Sequence, residues 1–209
     1  MRASIIIPAK NEEKRIGKVL KKLDKKYEII VVDDGSTDHT AEAAGKYKCR
    51  VISYRKNRGK GYACRIGVKH ASHNHIVFFD ADLQMNSKDI PKLLKELKNN
   101  DIVIGVRDME KIPANRRLNN RISRKLINKI TGASFKDVLC GFRAVRKDAF
   151  KKLNLRQNRY EFESEMLIKA VKKGMKIKEI PVDIKYEKGR KAPVKDNLKL
   201  AWYLIRLWS

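Results

Sequence analysis

The sequence predicts an α/β fold: a mostly parallel central sheet with helices on both faces. Three observations predict it. Short runs rich in Ile and Val alternate with stretches whose apolar residues recur at helical spacing. The runs (ASIIIP, YEIIVVD, IVFFD, DIVIG) are apolar on both faces, as expected of strands covered on both sides. Polar clusters follow four of them: PAKNE, DDGSTD, DADLQ and GVR. Right-handed strand–helix winding points such strands one way, so these clusters should meet at the carboxyl edge, where open sheets bind ligands.

The elements follow in order. Residues 3–8 form a strand stopped by Pro8, and Ile16, Val19, Leu20 and Leu23 place a helix over 12–23. Residues 27–33 are a second strand, and the next helix starts at Asp38, a residue suited to capping. A short third strand covers 50–53, and the loop NRGKG (57–61) leads into a helix reaching about His70. Residues 75–80 make a fourth strand, 89–98 a helix and 101–105 a fifth strand. The second half differs. Over 115–131, Leu118, Ile122, Leu126 and Ile130 recur every four residues, with Arg117, Arg121 and Lys125 as a cationic stripe beside them. A helix over about 163–173 and a strand over 176–184 follow. No repeat or boundary is evident, so 1–209 reads as one domain. It ends in an amphipathic helix over about 194–209, with Leu198, Ala201, Trp202, Ile205 and Trp208 on its apolar stripe. This stripe either packs on the core as a terminal helix or docks on a lipid surface, where Trp favours the headgroup boundary.

Charge narrows the function. Lys and Arg number 50 against 24 Asp and Glu, a net +26, which predicts an anionic partner. Cys49, Cys64 and Cys140 are far apart, without zinc spacing, and suit a reducing, cytoplasmic compartment. The N-terminus enters strand-like sequence with no signal peptide, and no apolar run approaches the ~20 residues of a membrane span. The expectation is a chain that is soluble or lies on a membrane without crossing it.

Two acidic motifs carry the chemistry. In DDGSTD, Asp33 and Asp34 stand where a strand tip meets a helix start, either capping a turn or accepting hydrogen bonds from a base or ribose. No G-x-G-x-x-G or P-loop is present to make a dinucleotide or Walker site. In DADLQ, Asp80 and Asp82 lie two apart at a strand end and can converge. Two converging carboxylates repel unless a cation or proton joins them, and hard oxygen donors suit Mg²⁺ or Mn²⁺. Gln84 adds a neutral oxygen or orients a phosphate.

The order P-x-x-N-E (Pro8, Asn11, Glu12), DDGS, N-x-G-x-G (Asn57, Gly59, Gly61), DADLQ, G-x-R (Gly105 to Arg107) and D-x-x-x-G-F-R (Asp137, Gly141, Phe142, Arg143) resembles glycosyltransferase family 2 over nearly the whole chain. Within that family it is similar to the dolichyl-phosphate mannose and glucose synthases. The resemblance implies a GT-A fold and inverting transfer from a nucleotide sugar to dolichyl or another polyprenyl phosphate at the cytosolic membrane face. Pro8, Ala9, Asn11, Glu12, Val32, Asp34 and Lys60 would hold the nucleotide. Asp80, Ala81, Asp82 and Gln84 would hold the diphosphate, with Asp80, Asp82 and Gln84 on a Mg²⁺ or Mn²⁺ ion. Arg107, Arg117 and Arg121 are candidates for the acceptor phosphate and leaving diphosphate, because Arg binds phosphate bidentately. Asp137 orients the acceptor or an arginine, or caps the following turn. The candidate catalytic set is therefore Asp82, Arg107, Arg117, Arg121 and Asp137.

The chain departs from the synthases where they carry R-x-x-G-x-S-K. Gly189 matches, but Tyr186 and Ala192 stand at the Arg and Lys positions, leaving Arg190 or Lys191 to substitute. A family 2 transferase acting on a soluble or protein-linked acceptor is the alternative enzyme, disfavoured by the arginine-rich and terminal amphipathic helices. A nucleic-acid-binding role leaves DDGS and DADLQ unexplained, since acids at the ligand edge repel phosphates without a metal.

Overall fold

The computed structural model describes residues 1–159 and 161–186. The expected terminal helix over 194–209, and Arg190 and Lys191, lie outside the described residues.

Among the described residues, seven strands form one sheet: β1 (Ser4–Ala9), β2 (Glu28–Asp33), β3 (Arg50–Ser53), β4 (His75–Phe78), β5 (Ile102–Val106), β6 (Arg143–Arg146) and β7 (Ile177–Pro181). Their spatial order is β3-β2-β1-β4-β6-β5-β7. β1 pairs parallel with β2 (Ile6 opposite Ile30) and β4 (Ile5 opposite Val77), β2 with β3, and β5 with β7. Only β6 runs against its neighbours β4 and β5. The sheet is mostly parallel, as the alternating pattern predicted.

Side chains alternate across this sheet, so each apolar run feeds two cores. Ile5, Ile7, Val31 and Val77 pack on one face, under α1 (Glu13–Lys22), α2 (Thr40–Gly45) and α4 (Ile90–Glu96). Ile6, Ile30, Val32 and Ile76 pack on the other, under α3 (Lys60–His70), α5 (Ala114–Thr131), α6 (Lys147–Leu153) and α7 (Glu161–Lys172).

Several boundaries move. α2 begins at Thr40, and Asp38 caps it from two residues upstream by accepting from the Thr40 N–H (3.1 Å). A 3₁₀ turn at Ser87–Asp89 precedes α4. The expected strand over 75–80 stops at Phe78, so Asp80 and Asp82 converge through a turn and not through strand alternation. The Phe79 N–H still bonds to the Ile6 carbonyl, but the Asp80 N–H turns to Met85 Sδ, and Leu83 takes φ 65°.

The elements the pattern missed are β6 and α6. Arg143 opens β6 and reads as a surface residue, yet it is 1% exposed. Its guanidinium donates to the carbonyls of Val138 (2.7 Å), Cys140 (2.8 Å) and Glu163 (2.6 Å). The burial that would expel an unpartnered cation is met by three carbonyl acceptors.

Arg143→Met should therefore leave three buried carbonyls without donors and destabilise the fold by about 3 kcal/mol or more. Urea denaturation checks this, and a loss below about 1 kcal/mol would show that the clamp is dispensable.

Candidate active site

The carboxyl ends of β1, β2 and β4 open onto a cleft of about 370 Å³. Pro8, Ala9, Lys10 and Glu12 line it from β1 and its following turn, Asp34 from β2, and Asp80, Ala81 and Asp82 from β4. Asn57, Gly59 and Lys60, at the entry to α3, and Arg159, before α7, complete it. Eight of the residues expected to hold nucleotide, diphosphate or metal thus meet at one cleft. Asn11 stands at its rim with φ 54°, its Oδ1 accepting from the Thr37 N–H (2.9 Å). Val32 is not part of the lining: its side chain is fully buried in the core under α3 and α7. Gln84 is buried outside the lining, and its N–H donates to Asp82 Oδ1 (3.1 Å).

Asp34 is held from one side. Its carboxylate accepts from the Arg58 N–H (2.7 Å), the Gly59 N–H (2.8 Å) and Asn57 Nδ2 (2.6 Å). Its acceptor capacity is largely spent on the 57–59 loop, so it shapes the cleft wall and leaves little over for a nucleoside. Asp33 turns inward to Ser36.

Lys60 Nζ lies 2.7 Å from Asp80 Oδ1 and 3.0 Å from Glu163 Oε1. Burial opposes its charge, but the two carboxylates outweigh that and hold its pKa well above the usual lysine value. Gly141 allows this approach: a Cβ there would stand 2.5 Å from Lys60 Nζ and 3.1 Å from Asp80 Oδ2.

A divalent cation fits Asp80 and Asp82. Both line the cleft, and the Asp80 side chain is 27% exposed. Among the described residues no group of three or more His, Cys, Asp and Glu side chains is arranged to hold a metal. Two carboxylates suit a Mg²⁺-like ion, which is bound through one or two carboxylates and completes its shell with phosphate and water.

A second constellation lies beyond β4, outside the cleft lining. Arg107, just past β5, grips Asp137 through Nε–Oδ2 (2.7 Å) and Nη2–Oδ1 (2.9 Å), and its own N–H also reaches Oδ2 (3.2 Å). Asn120 Nδ2, from α5, donates to Asp137 Oδ1 (2.6 Å). Asp137 is fully buried, while the Arg107 side chain keeps 15% exposure. Asp137 pairs with Arg107 and also caps the following turn, accepting from the Leu139 N–H (3.3 Å). Burial disfavours both charges, but the pairing wins: the arginine pKa is raised and the aspartate pKa is held below its usual value. Tyr186, at the synthases' Arg position, sits beside this pair with its hydroxyl buried and unpartnered and its ring 5.9 Å from the Arg116 guanidinium. Burial raises its pKa. Arg117 and Arg121 are exposed on α5, away from the cleft.

The family model for glycosyl transferase family 2 matches residues 4–154. The chain belongs to glycosyltransferase family 2. It is 32% identical to a dolichyl-phosphate beta-glucosyltransferase of Trichomonas vaginalis, over 98% of this chain and 72% of that one. It is 36% identical to a dolichol-phosphate mannosyltransferase of Pyrococcus furiosus, over 87% of this chain and 56% of that one. Among solved structures it resembles glucosyl-3-phosphoglycerate synthase of Mycobacterium tuberculosis in complex with Mn²⁺, UDP and glucosyl-3-phosphoglycerate. That match has a TM-score of 0.79 and 23% identity, and covers 97% of this chain and 77% of that one. The fold is GT-A.

Sequence reasoning about this family 2 transferase missed Glu163 and Arg159. Glu163 had a usable signal. It lies four residues before Leu167 on the buried face of α7, where an acid needs a buried partner. Arg159 sits in an irregular segment with no periodicity to place it.

Asp137→Asn should cost about 3–5 kcal/mol, because it leaves the Arg107 cation inside without its counter-charge. The wild-type pair also has a pH signature. Because the folded pKa of Asp137 is depressed, its contribution is complete above the unfolded value of about 3.9 and is lost as pH falls through the folded one. Thermal melts from pH 6 to 3 should show a shallower acid limb for Asp137→Asn than for wild type.

Proposed function

We propose that this transferase moves a hexose from a nucleoside-diphosphate sugar to a polyprenyl phosphate such as dolichyl phosphate, on the cytosolic surface of a membrane. The observation that carries the reading is the placement of α5. Leu118 and Ile122 are 57% and 54% exposed, flanked on the same helix by exposed Arg117, Arg121 and Lys125. On its buried side the helix plants Asn120 on Asp137, the carboxylate that aims Arg107. One helix thus offers an apolar, cationic face to an anionic lipid surface while bracing the arginine suited to a lipid phosphate. Among the described residues no helix is long and apolar enough to cross a membrane. The names of the Trichomonas and Pyrococcus relatives support a lipid-phosphate acceptor.

The chemistry follows from charge. Pro8, Ala9, Glu12 and the Asp34-braced loop wall the nucleotide's end of the cleft. Asp80 and Asp82 would hold a Mg²⁺ or Mn²⁺ ion, which supplies positive charge to the departing diphosphate. The acceptor is a phosphate monoester, mostly dianionic near pH 7 because its second pKa is about 6. Its oxygen attacks the anomeric carbon from the side opposite the diphosphate, the bond to the diphosphate oxygen breaks, and configuration inverts. No protein base is required. The protein's task is to hold two anions together, and in this reading the Arg107 N–H groups not used on Asp137 receive the acceptor.

The test is turnover with Mn²⁺ or Mg²⁺, a short-chain polyprenyl phosphate and a panel of UDP- and GDP-sugars. Lipid-linked sugar is expected from one donor, and Asp82→Ala should lower the rate at least about 100-fold with the fold intact. Equal transfer to a soluble acceptor would overturn the lipid assignment.

Docking is checked separately by co-sedimentation with anionic vesicles. Leu118→Glu with Ile122→Glu should weaken partitioning tenfold or more, since burying each side chain is worth about 1.5–3 kcal/mol. Added salt should weaken wild-type binding as well.

A further inference from the structure

Lys60 is the first residue of α3, and its ammonium lies between two carboxylates of different character. Asp80 reaches into the cleft, with a side chain 27% exposed. Glu163 is set back in the protein, 7% exposed, and uses only Oε1 on Lys60. Its Oε2 is buried with no hydrogen-bond partner. Such an oxygen is costly to leave bare, and it lies on the carboxylate that already holds Lys60. Gly141 keeps the space between the three groups open: a Cβ there would stand 2.5 Å from Lys60 Nζ, 3.1 Å from Asp80 Oδ2 and 3.5 Å from Glu163 Oε1.

We propose that Lys60 is a tethered counter-ion that makes divalent-cation binding at Asp80 conditional on the nucleoside diphosphate. The inference rests on Asp80 and Asp82 as the metal-holding pair. Without nucleotide the Lys60 ammonium already neutralises Asp80, so a divalent cation meets a like charge at its own ligand. A diphosphate brings negative charge to the same place. The ammonium then has a phosphate to turn to and Glu163 to lean on, and Asp80 is released. The resident lysine weakens the metal alone more than it weakens the metal with nucleotide. That difference is a coupling between the two ligands, and it acts equally in both directions. Lys60 is a positioning residue in this scheme, acting through Asp80.

The experiment measures Mn²⁺ binding by electron paramagnetic resonance on the full chain, alone and with saturating UDP or GDP. Chelation by the nucleotide itself is subtracted from protein-free controls. Wild type should bind Mn²⁺ weakly alone and about tenfold or more tighter with one of the nucleotides. Lys60→Met should tighten binding of Mn²⁺ alone by about tenfold and lower the coupling by about the same factor. Glu163→Gln should do the reverse for Mn²⁺ alone, because Lys60 then has only Asp80 to pair with. A loss of fold would shift both variants the same way, so opposite signs separate the proposal from mere damage. If Lys60→Met does not fold, a weakening in Glu163→Gln still supports the proposal, and unchanged or tighter binding overturns it. Unchanged or weaker binding of Mn²⁺ alone in folded Lys60→Met also overturns it. Asp82-dependent binding indifferent to both variants sinks this inference while keeping the metal pair. No Mn²⁺ binding by wild type under any condition sinks both.

Discussion

The guanidinium of Arg143 ties the segment preceding β6 to α7, and both carry side chains that the site depends on. Its three carbonyl partners belong to the segment preceding β6 and to α7. The first segment carries Asp137, which aims Arg107, and Gly141, which leaves room for Lys60. The second carries Glu163, which shares the Lys60 ammonium with Asp80. Without this clamp, Arg107 and Lys60 would each lose their bearing. A buried cation spends its hydrogen bonds on backbone so that two other cations, nearer the surface, can be aimed.

The parallel half of the fold was legible because β1, β2, β4 and β5 are buried on both faces and their apolar runs have no competing explanation. β6 was not legible. It has four residues, arginine at both ends, and only Ala144 and Val145 to mark it as a strand. Its place is set by pairing with two neighbours distant in sequence, which no local pattern records. The apolar repeat on α5 was read correctly as amphipathic, but periodicity cannot tell which face meets the protein. The buried face turned out to be Asn120, Ser123 and Ile127, with Leu118 and Ile122 turned outward.

The cleft was legible for a topological reason: parallel strands deliver whatever follows them to one edge. Pro8, Asp34 and Asp80 could be brought together from sequence alone. Partner choice was hidden. The acidity of Asp34 gives no hint that its oxygens are taken up by a loop more than twenty residues away, nor does Asp80 reveal its lysine. Val32 lies outside the lining because alternation along β2 turns its side chain into the core under α3, while its neighbour Asp33 turns toward Ser36.

The single reversed strand has a consequence for how such a site can diversify. In a sheet whose strands all run one way, the ligand edge receives chain only as it leaves a strand. β6 enters the sheet at that edge, beside the exit of β5. Residues 107–142, with α5 among them, therefore form one excursion whose two ends are anchored on adjacent strands. Its length and shape can change while every register in the sheet stays fixed. The cleft floor is built once by the strands, and the excursion beside it can vary wherever Arg143 does not clamp it.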